Sequence, residues 1–279
     1  MQYLDGRTIA RSINAALKQR IGAERIDAGL AAVLVGDDPA SRLYVGLKEK
    51  ACGEVGIRFQ KRLFRADVDQ PTVLDHLARL NADARIHAIL VQLPLPRQLD
   101  EDRVIDAIDP RKDVDGFQLV NVQRFVRGEA DALTPVLVKA IWRLLEVAGE
   151  PLAGKRAAIV SNAPVFAEPI IAMLKRSGVA GEYVRPKAGS RRLKATTVSD
   201  ILIVALGRPN AITNRDIKPG AIIIDVGTTQ IGSRMVGDVD ATSVQSKAAW
   251  LTPVPGGVGP VTVACLLENV VELAERQMR

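Results

Sequence analysis

Four stretches of the sequence place chemically capable side chains at spacings that could build a reaction site. In SRLYVGLKEKAC, Tyr44 and Lys48 are four residues apart, so on a helix they share one face. Taken by itself, such a pair on a helix is usually a solvated lysine stem packed on a ring. Gln92 ends the apolar run Ala88–Gln92, where a buried amide must find partners for its donors and acceptor. In KDVDGF, Asp113 and Asp115 precede Gly116, as acidic residues do both in turns and in sites. TPVPGGVGP (Thr252–Pro260) is a connector whose glycines could also let backbone approach a flat ligand.

Regular elements must hold these stretches. Residues 8–25 put Ile9, Ile13, Ala16 and Leu17 on one helical face. The apolar runs Ala31–Val35, Ala88–Gln92, Lys155–Val160, Asp200–Ala205 and Ala221–Asp225 read as buried parallel strands, with Arg58–Phe64 and Gly181–Arg185 as further strands. Between them, helices are expected over Ser41–Glu54, Thr72–Asn81, Leu99–Ile108, Pro135–Val147, Val165–Ser177 and Gly259–Arg279, and Asp109–Phe117 reads as irregular. Strand–helix alternation predicts an α/β fold: a parallel sheet with right-handed crossovers, then a doubly wound unit of Rossmann type. Two such units in series predict a cleft, with ligands beyond the carboxyl ends of the strands.

Composition narrows the functional classes. Of 279 residues, 47% are hydrophobic and 25% charged, which excludes a disordered chain or a fibre. The net charge of +6 is scattered, and only 4% of residues are aromatic; no motif interleaves rings with basic residues, so no nucleic-acid partner is expected. Cys52 and Cys265 cannot make a disulfide framework or a zinc cluster, and His76 and His87 sit outside any metal-ligand motif. With no apolar signal core at the N-terminus and no run of about 18 apolar residues, the expectation is a soluble cytoplasmic protein with no metal and no membrane contact.

Taken in order, YVGLKEKAC, VQLPLP, KDVDGF, GAIIIDVG and LTPVPGGVGP resemble the bifunctional methylenetetrahydrofolate dehydrogenase/methenyltetrahydrofolate cyclohydrolase family over nearly the whole chain. The resemblance implies two α/β lobes joined by long helices near 134–147 and 260–276. Residues 1–134 and 258–279 would form the folate-binding catalytic domain, and 135–257 a Rossmann-type domain. It implies oxidation of 5,10-methylenetetrahydrofolate to the methenyl cation, hydrolysis of that cation to 10-formyltetrahydrofolate, and a homodimer. Lys48 would be the acid/base group, oriented by Gln92, with Tyr44 stacked near the pterin. Asp115 would hold the pterin nitrogens, beside the backbone of Pro255, Gly256 and Gly257. A lysine does this work only if its pKa falls toward neutrality, which partial burial and a neutral partner achieve and an acidic partner would oppose.

The nucleotide side departs from the family pattern. Where a GRS-type loop with a later glycine is expected, the chain reads VSNAPVFAEP, so Ser161, Asn162 and Ala163 occupy the positions of the cofactor loop. Glycines there would let backbone N–H groups approach phosphate, and Glu168 adds a negative charge near the helix start. The family's His-Ser pair is replaced by YVRPKAGSRRLK, whose Arg185, Lys187, Arg191 and Arg192 would favour the 2′-phosphate of NADP over NAD. Gly227 completes the expected cofactor contacts. The altered loop leaves open an alternative: a member that acts on folate without a dinucleotide.

Overall fold

The computed structural model describes residues 1–186 and 194–278. In chain order the first half carries β1 (Gln2–Tyr3), α1 (Gly6–Glu24), β2 (Gly29–Val35), α2 (Pro39–Val55), β3 (Arg58–Phe64), α3 (Gln70–Ala82), β4 (Ala88–Val91), α4 (Glu101–Asp106) and α5 (Leu119–Arg127). The second half carries α6 (Val136–Ala148), β5 (Arg156–Ser161), α7 (Pro164–Arg176), β6 (Ala180–Val184), β7 (Ile201–Ala205), β8 (Ile222–Asp225), β9 (Thr229–Ile231), β10 (Arg234–Val236), α8 (Ala241–Val244), β11 (Trp250–Leu251) and α9 (Val258–Met278). The chain divides into two compact units, one of Met1–Ala10 with Leu137–Thr262, the other of Arg11–Val136 with Val263–Arg279.

The unit that contains Arg11–Val136 is built on a parallel sheet of order β3-β2-β4. β2 is buried along its whole length, as its unbroken apolar sequence demands. Val33 and Val35 pack there with Val73, Leu77, Ile89 and Val91. The chain passes from β2 to β3, then returns across β2 to β4, so the strand order reverses between β2 and β4. Beyond β4, the backbone at Lys112–Asp113 pairs with Ile89 in a parallel bridge, with Ile89 N–H donating to the Lys112 carbonyl. Asp109–Phe117 therefore includes a strand-like contact that its polar sequence hides, and α5 follows it.

The other unit is a six-stranded parallel sheet, β1-β11-β8-β7-β5-β6, with a small β9–β10 hairpin. Its core joins Ala158, Val160, Leu202, Val204 and Ile223 to Val244 and Leu251. The order reverses between β5 and β7, the place where doubly wound sheets bind ligands. β1 pairs with β11 over only two residues each, too short to show a period in sequence. Among the described residues, no helix is long and apolar enough to cross a membrane. The α/β class expected from the strand–helix alternation is the class found.

Candidate active site

α2 begins where Asp38 caps it, its carboxylate accepting from Ser41 N–H at 2.7 Å, with Pro39 in the first turn. The helix carries Tyr44 and Lys48 on one face, one turn apart, Tyr44 exposed. Lys48 Nζ donates to Gln92 Oε1 at 3.0 Å. Gln92 immediately follows β4, at the carboxyl end where the strand order reverses. Its Nε2 donates to the Leu93 carbonyl at 2.8 Å, which turns the amide oxygen toward the lysine. Burial holds the Lys48 ammonium below the ordinary lysine range, against the opposing charge of Asp115. Cys52, one turn further along α2, is fully buried and its thiol is pushed up to about 12, so it is inert.

Asp115 reaches the same end of the sheet through the bridge between Ile89 and Asp113. It lies two residues beyond that bridge, in the bend that follows it. Burial pushes Asp115 up to about 6, against Lys48 and with help from the charge of Asp113. Burial weakens both ions, so the lysine moves down while the aspartate moves up. Gly116 takes a φ of +70°, and a Cβ on it would lie 3.0 Å from the Pro135 Cα, so the turn after Asp115 admits only glycine comfortably. Tyr44, Lys48, Gln92 and Asp115 thus share one unit.

Pro255, Gly256 and Gly257 belong to the other unit, as do the residues expected on the nucleotide side. Val254–Pro255 is a cis peptide, and Gly256 has a φ of +108°. A Cβ on Gly6 would stand 1.7 Å from the Gly257 carbonyl oxygen, so the start of α1 lies directly on this loop.

Ser161 ends β5 beside the carboxyl end of β7, and Asn162 follows it. Ser161 Oγ donates to the Ala163 carbonyl at 2.9 Å, and Asn162 Nδ2 donates to the Leu206 carbonyl at 2.8 Å. Ala163 caps α7 without a side-chain hydrogen bond, unlike Asp38 on α2. Arg185 is exposed just past β6, with no ion pair among the described residues. Lys187, Arg191 and Arg192 lie outside the described residues. Gly227 is required by a neighbour: a Cβ there would fall 2.1 Å from the Asp238 carboxyl carbon.

Sequence reasoning missed the polar residues that set this backbone. Asp113 was legible only as a turn residue, and Asn121, Asn269, Asp225 and Asp238 drew no notice. The one signal available was a single amide, Asn269, inside the apolar helix ACLLENVVELA.

The sequence profile of the tetrahydrofolate dehydrogenase/cyclohydrolase catalytic domain matches residues 4–115, and that of the NAD(P)-binding domain of the same enzymes matches residues 134–278. The chain belongs to the tetrahydrofolate dehydrogenase/cyclohydrolase family. It is 45% identical over 280 residues to the bifunctional protein FolD of Moorella thermoacetica, covering 99% of each. It is 42% identical to that of Methanococcoides burtonii, over 99% of this chain and 97% of the relative. The crystal structure of FolD from Campylobacter jejuni superimposes with a TM-score of 0.91 at 37% identity, 99% of each chain covered. The Trypanosoma brucei enzyme, solved with NADP and an inhibitor, gives a TM-score of 0.92 at 32% identity, covering 99% of this chain and 97% of that one.

A family that binds a dinucleotide needs an anion site and a ribose site. The uncapped start of α7 keeps the Val165 and Phe166 N–H groups free of a side-chain cap, at the point where the strand order reverses. Arg185 stands at the carboxyl end of the next strand, where an arginine accommodates a 2′-phosphate. These residues fit NADP, although Pro164 contributes no N–H.

Proposed function

We propose that this protein interconverts one-carbon derivatives of tetrahydrofolate as a cytoplasmic homodimer. It oxidises 5,10-methylenetetrahydrofolate with NADP and hydrolyses the methenyl product to 10-formyltetrahydrofolate. The observation that carries this reading is the Lys48–Gln92 hydrogen bond at 3.0 Å beside Asp115, in a chain of this family. Among the described residues, the side chain that Lys48 hydrogen-bonds is a neutral amide. Burial lowers the pKa of this lysine and the amide adds no charge to hold its proton, while Asp115 opposes the shift.

In the hydrolytic step, water adds to the methenyl carbon and Lys48 Nζ takes its proton. The bond from that carbon to N5 then breaks as the remaining hydroxyl proton leaves to solvent and the formyl C=O forms. The proton held by Lys48 passes to N5, so one proton is released overall, matching the lost charge of the methenyl cation. Gln92 keeps the lysine aimed and adds no charge that would hold its proton. Asp115 grips the pterin ring nitrogens, and Tyr44 lies against the ring one helical turn away. Pro255, Gly256 and Gly257 supply backbone to the pterin, with no side chain on the two glycines to stand off a flat ring. For the oxidative step, the start of α7 with Ser161, Asn162 and Ala163 would hold the pyrophosphate, Arg185 the 2′-phosphate, and Gly227 backbone the nicotinamide side. When bound, NADP supplies the hydride acceptor for the methylene carbon.

The test is a spectrophotometric assay of purified protein with methylenetetrahydrofolate and NADP, followed through reduced nicotinamide and the methenyl and formyl products. Lys48→Met is expected to lower cyclohydrolase turnover by about 10³-fold, within the range general acid–base groups contribute, while the fold survives. Full turnover in that variant overturns the assignment.

A further inference from the structure

Asp113 touches none of the groups given a chemical role above, yet it is among the most heavily used side chains of its unit. It is 3% exposed. Its Oδ1 accepts from Gly116 N–H at 3.1 Å, and its Oδ2 accepts from Gln118 N–H at 3.0 Å and from Asn121 Nδ2 at 2.9 Å. The two backbone donors lie on the far side of Asp115, so the carboxylate folds residues 113–118 into a loop with Asp115 near its apex. The rest of the loop is pinned from outside. Asn269 Nδ2 of α9 donates to the Val114 carbonyl at 3.0 Å, and Val136 N–H donates to the Asp115 carbonyl at 3.0 Å. Lys112 Nζ is buried against the Asn81 and Asp83 carbonyls at 2.8 and 2.9 Å, anchoring the near end at the close of α3. The backbone on both sides of Asp115 is thereby committed, while its carboxylate makes no hydrogen bond among the described residues.

We propose that Asp113 is a positioning residue for the folate reaction: it folds the turn that presents Asp115 to the substrate with both carboxylate oxygens unspent, and it places a second negative charge directly behind that carboxylate. The proposal rests on the folate reading of Asp115. Its electrostatic half follows from the neighbourhood. The charged groups that act on Asp115 are Lys48 from α2 and Asp113 from its own turn. Lys48 favours the ionised form of Asp115; burial and Asp113 oppose it. Asp113 thus adds its charge to the larger effect of burial in holding Asp115 above the ordinary carboxylate range.

The experiment measures cyclohydrolase kcat and KM from about pH 5 to 9 for wild type, Asp113→Asn and Asp113→Glu. Asp113→Asn removes the charge and is expected to move the acid limb of the profile down by about 0.5–1 pH unit. Asp113→Glu keeps the charge on a longer arm; its limb should stay at the wild-type pH while kcat falls about tenfold through misplacement of Asp115. A purely structural carboxylate would lower the yield of folded protein in both variants and move neither limb nor kcat of what folds. An unmoved limb in Asp113→Asn overturns the electrostatic role. Should that variant not fold, Asp113→Glu decides, because wild-type kcat there overturns the positioning role. Failure of the folate reading itself is a separate result: wild-type protein with no cyclohydrolase turnover, or Lys48→Met with all of it.

Discussion

Each unit contains a pair of neighbouring aspartates, and the two pairs are spent differently. In one, Asp113 accepts three N–H bonds and Asp115 accepts none among the described residues. In the other, Asp238 accepts from Leu206, Gly207 and Arg208 N–H, and Asp225 accepts from Gly227, Asp238 and Val239 N–H. Both pairs hold one member high in pKa through burial and a neighbouring carboxylate: Asp115 at about 6 and Asp225 at about 7. An elevated pKa therefore does not separate site from scaffold. What separates them is the unused hydrogen-bonding capacity of Asp115, which faces a lysine, against the three donors that enclose Asp225. Two glycines seal the second pair, since a Cβ on Gly227 would meet the Asp238 carboxyl group and one on Gly237 would lie 2.1 Å from Asp225 Oδ2.

Exchanging the same atoms in each pair breaks or sharpens that contrast. Asp115→Asn should cost about 10²–10³ in cyclohydrolase kcat and leave the denaturation midpoint equal or higher, because a carboxylate held out of water for function is seldom optimal for stability. Kinetics and urea unfolding on one preparation decide it; a large loss of stability would make Asp115 scaffold. Asp238→Ala should do the reverse within its unit. It strips the acceptor from three N–H groups and costs about 3 kcal/mol of unfolding free energy, which urea unfolding measures. A loss under about 0.5 kcal/mol, the level of an ordinary surface substitution, would break the comparison.

The smallest effect is a pH dependence. The Asp225 pKa rises from an ordinary 3.8 to about 7 on folding, so the folded state binds its proton more tightly than the unfolded chain does. The resulting contribution to stability is full below pH 3.8, is lost as pH rises through about 7, and vanishes in Asp225→Asn. Between pH 5 and pH 8 the unfolding free energy of the wild type should fall by about 2.5 kcal/mol more than that of Asp225→Asn. Parallel slopes would place the proton elsewhere.

The sequence was legible where one residue type does one job. Buried parallel strands such as Ile201–Ala205 are apolar throughout and could be read directly. Lys48, Gln92 and Asp115 sit in motifs whose wording and order are specific enough to name a family unaided. The short strands β1 and β11 and the bridge at Asp113 were hidden, because two or three residues cannot display a period and their partners lie far along the chain.

The sequence by itself determined the alternation of strands and helices, the family, and the residue types able to move a proton on a folate. It could do so because hydrophobic periodicity and motif spacing are local properties of the chain. Only the tertiary structure decided which aspartates are occupied and which is free. Hydrogen-bond saturation is a property of partners: Asp113 finds its third donor in Asn121, and Asp238 finds its donors some thirty residues away at Leu206, Gly207 and Arg208. The two KDVD and GDVD stretches look alike in sequence. The fold gives their aspartates different work by surrounding one carboxylate with N–H groups and leaving another before a lysine.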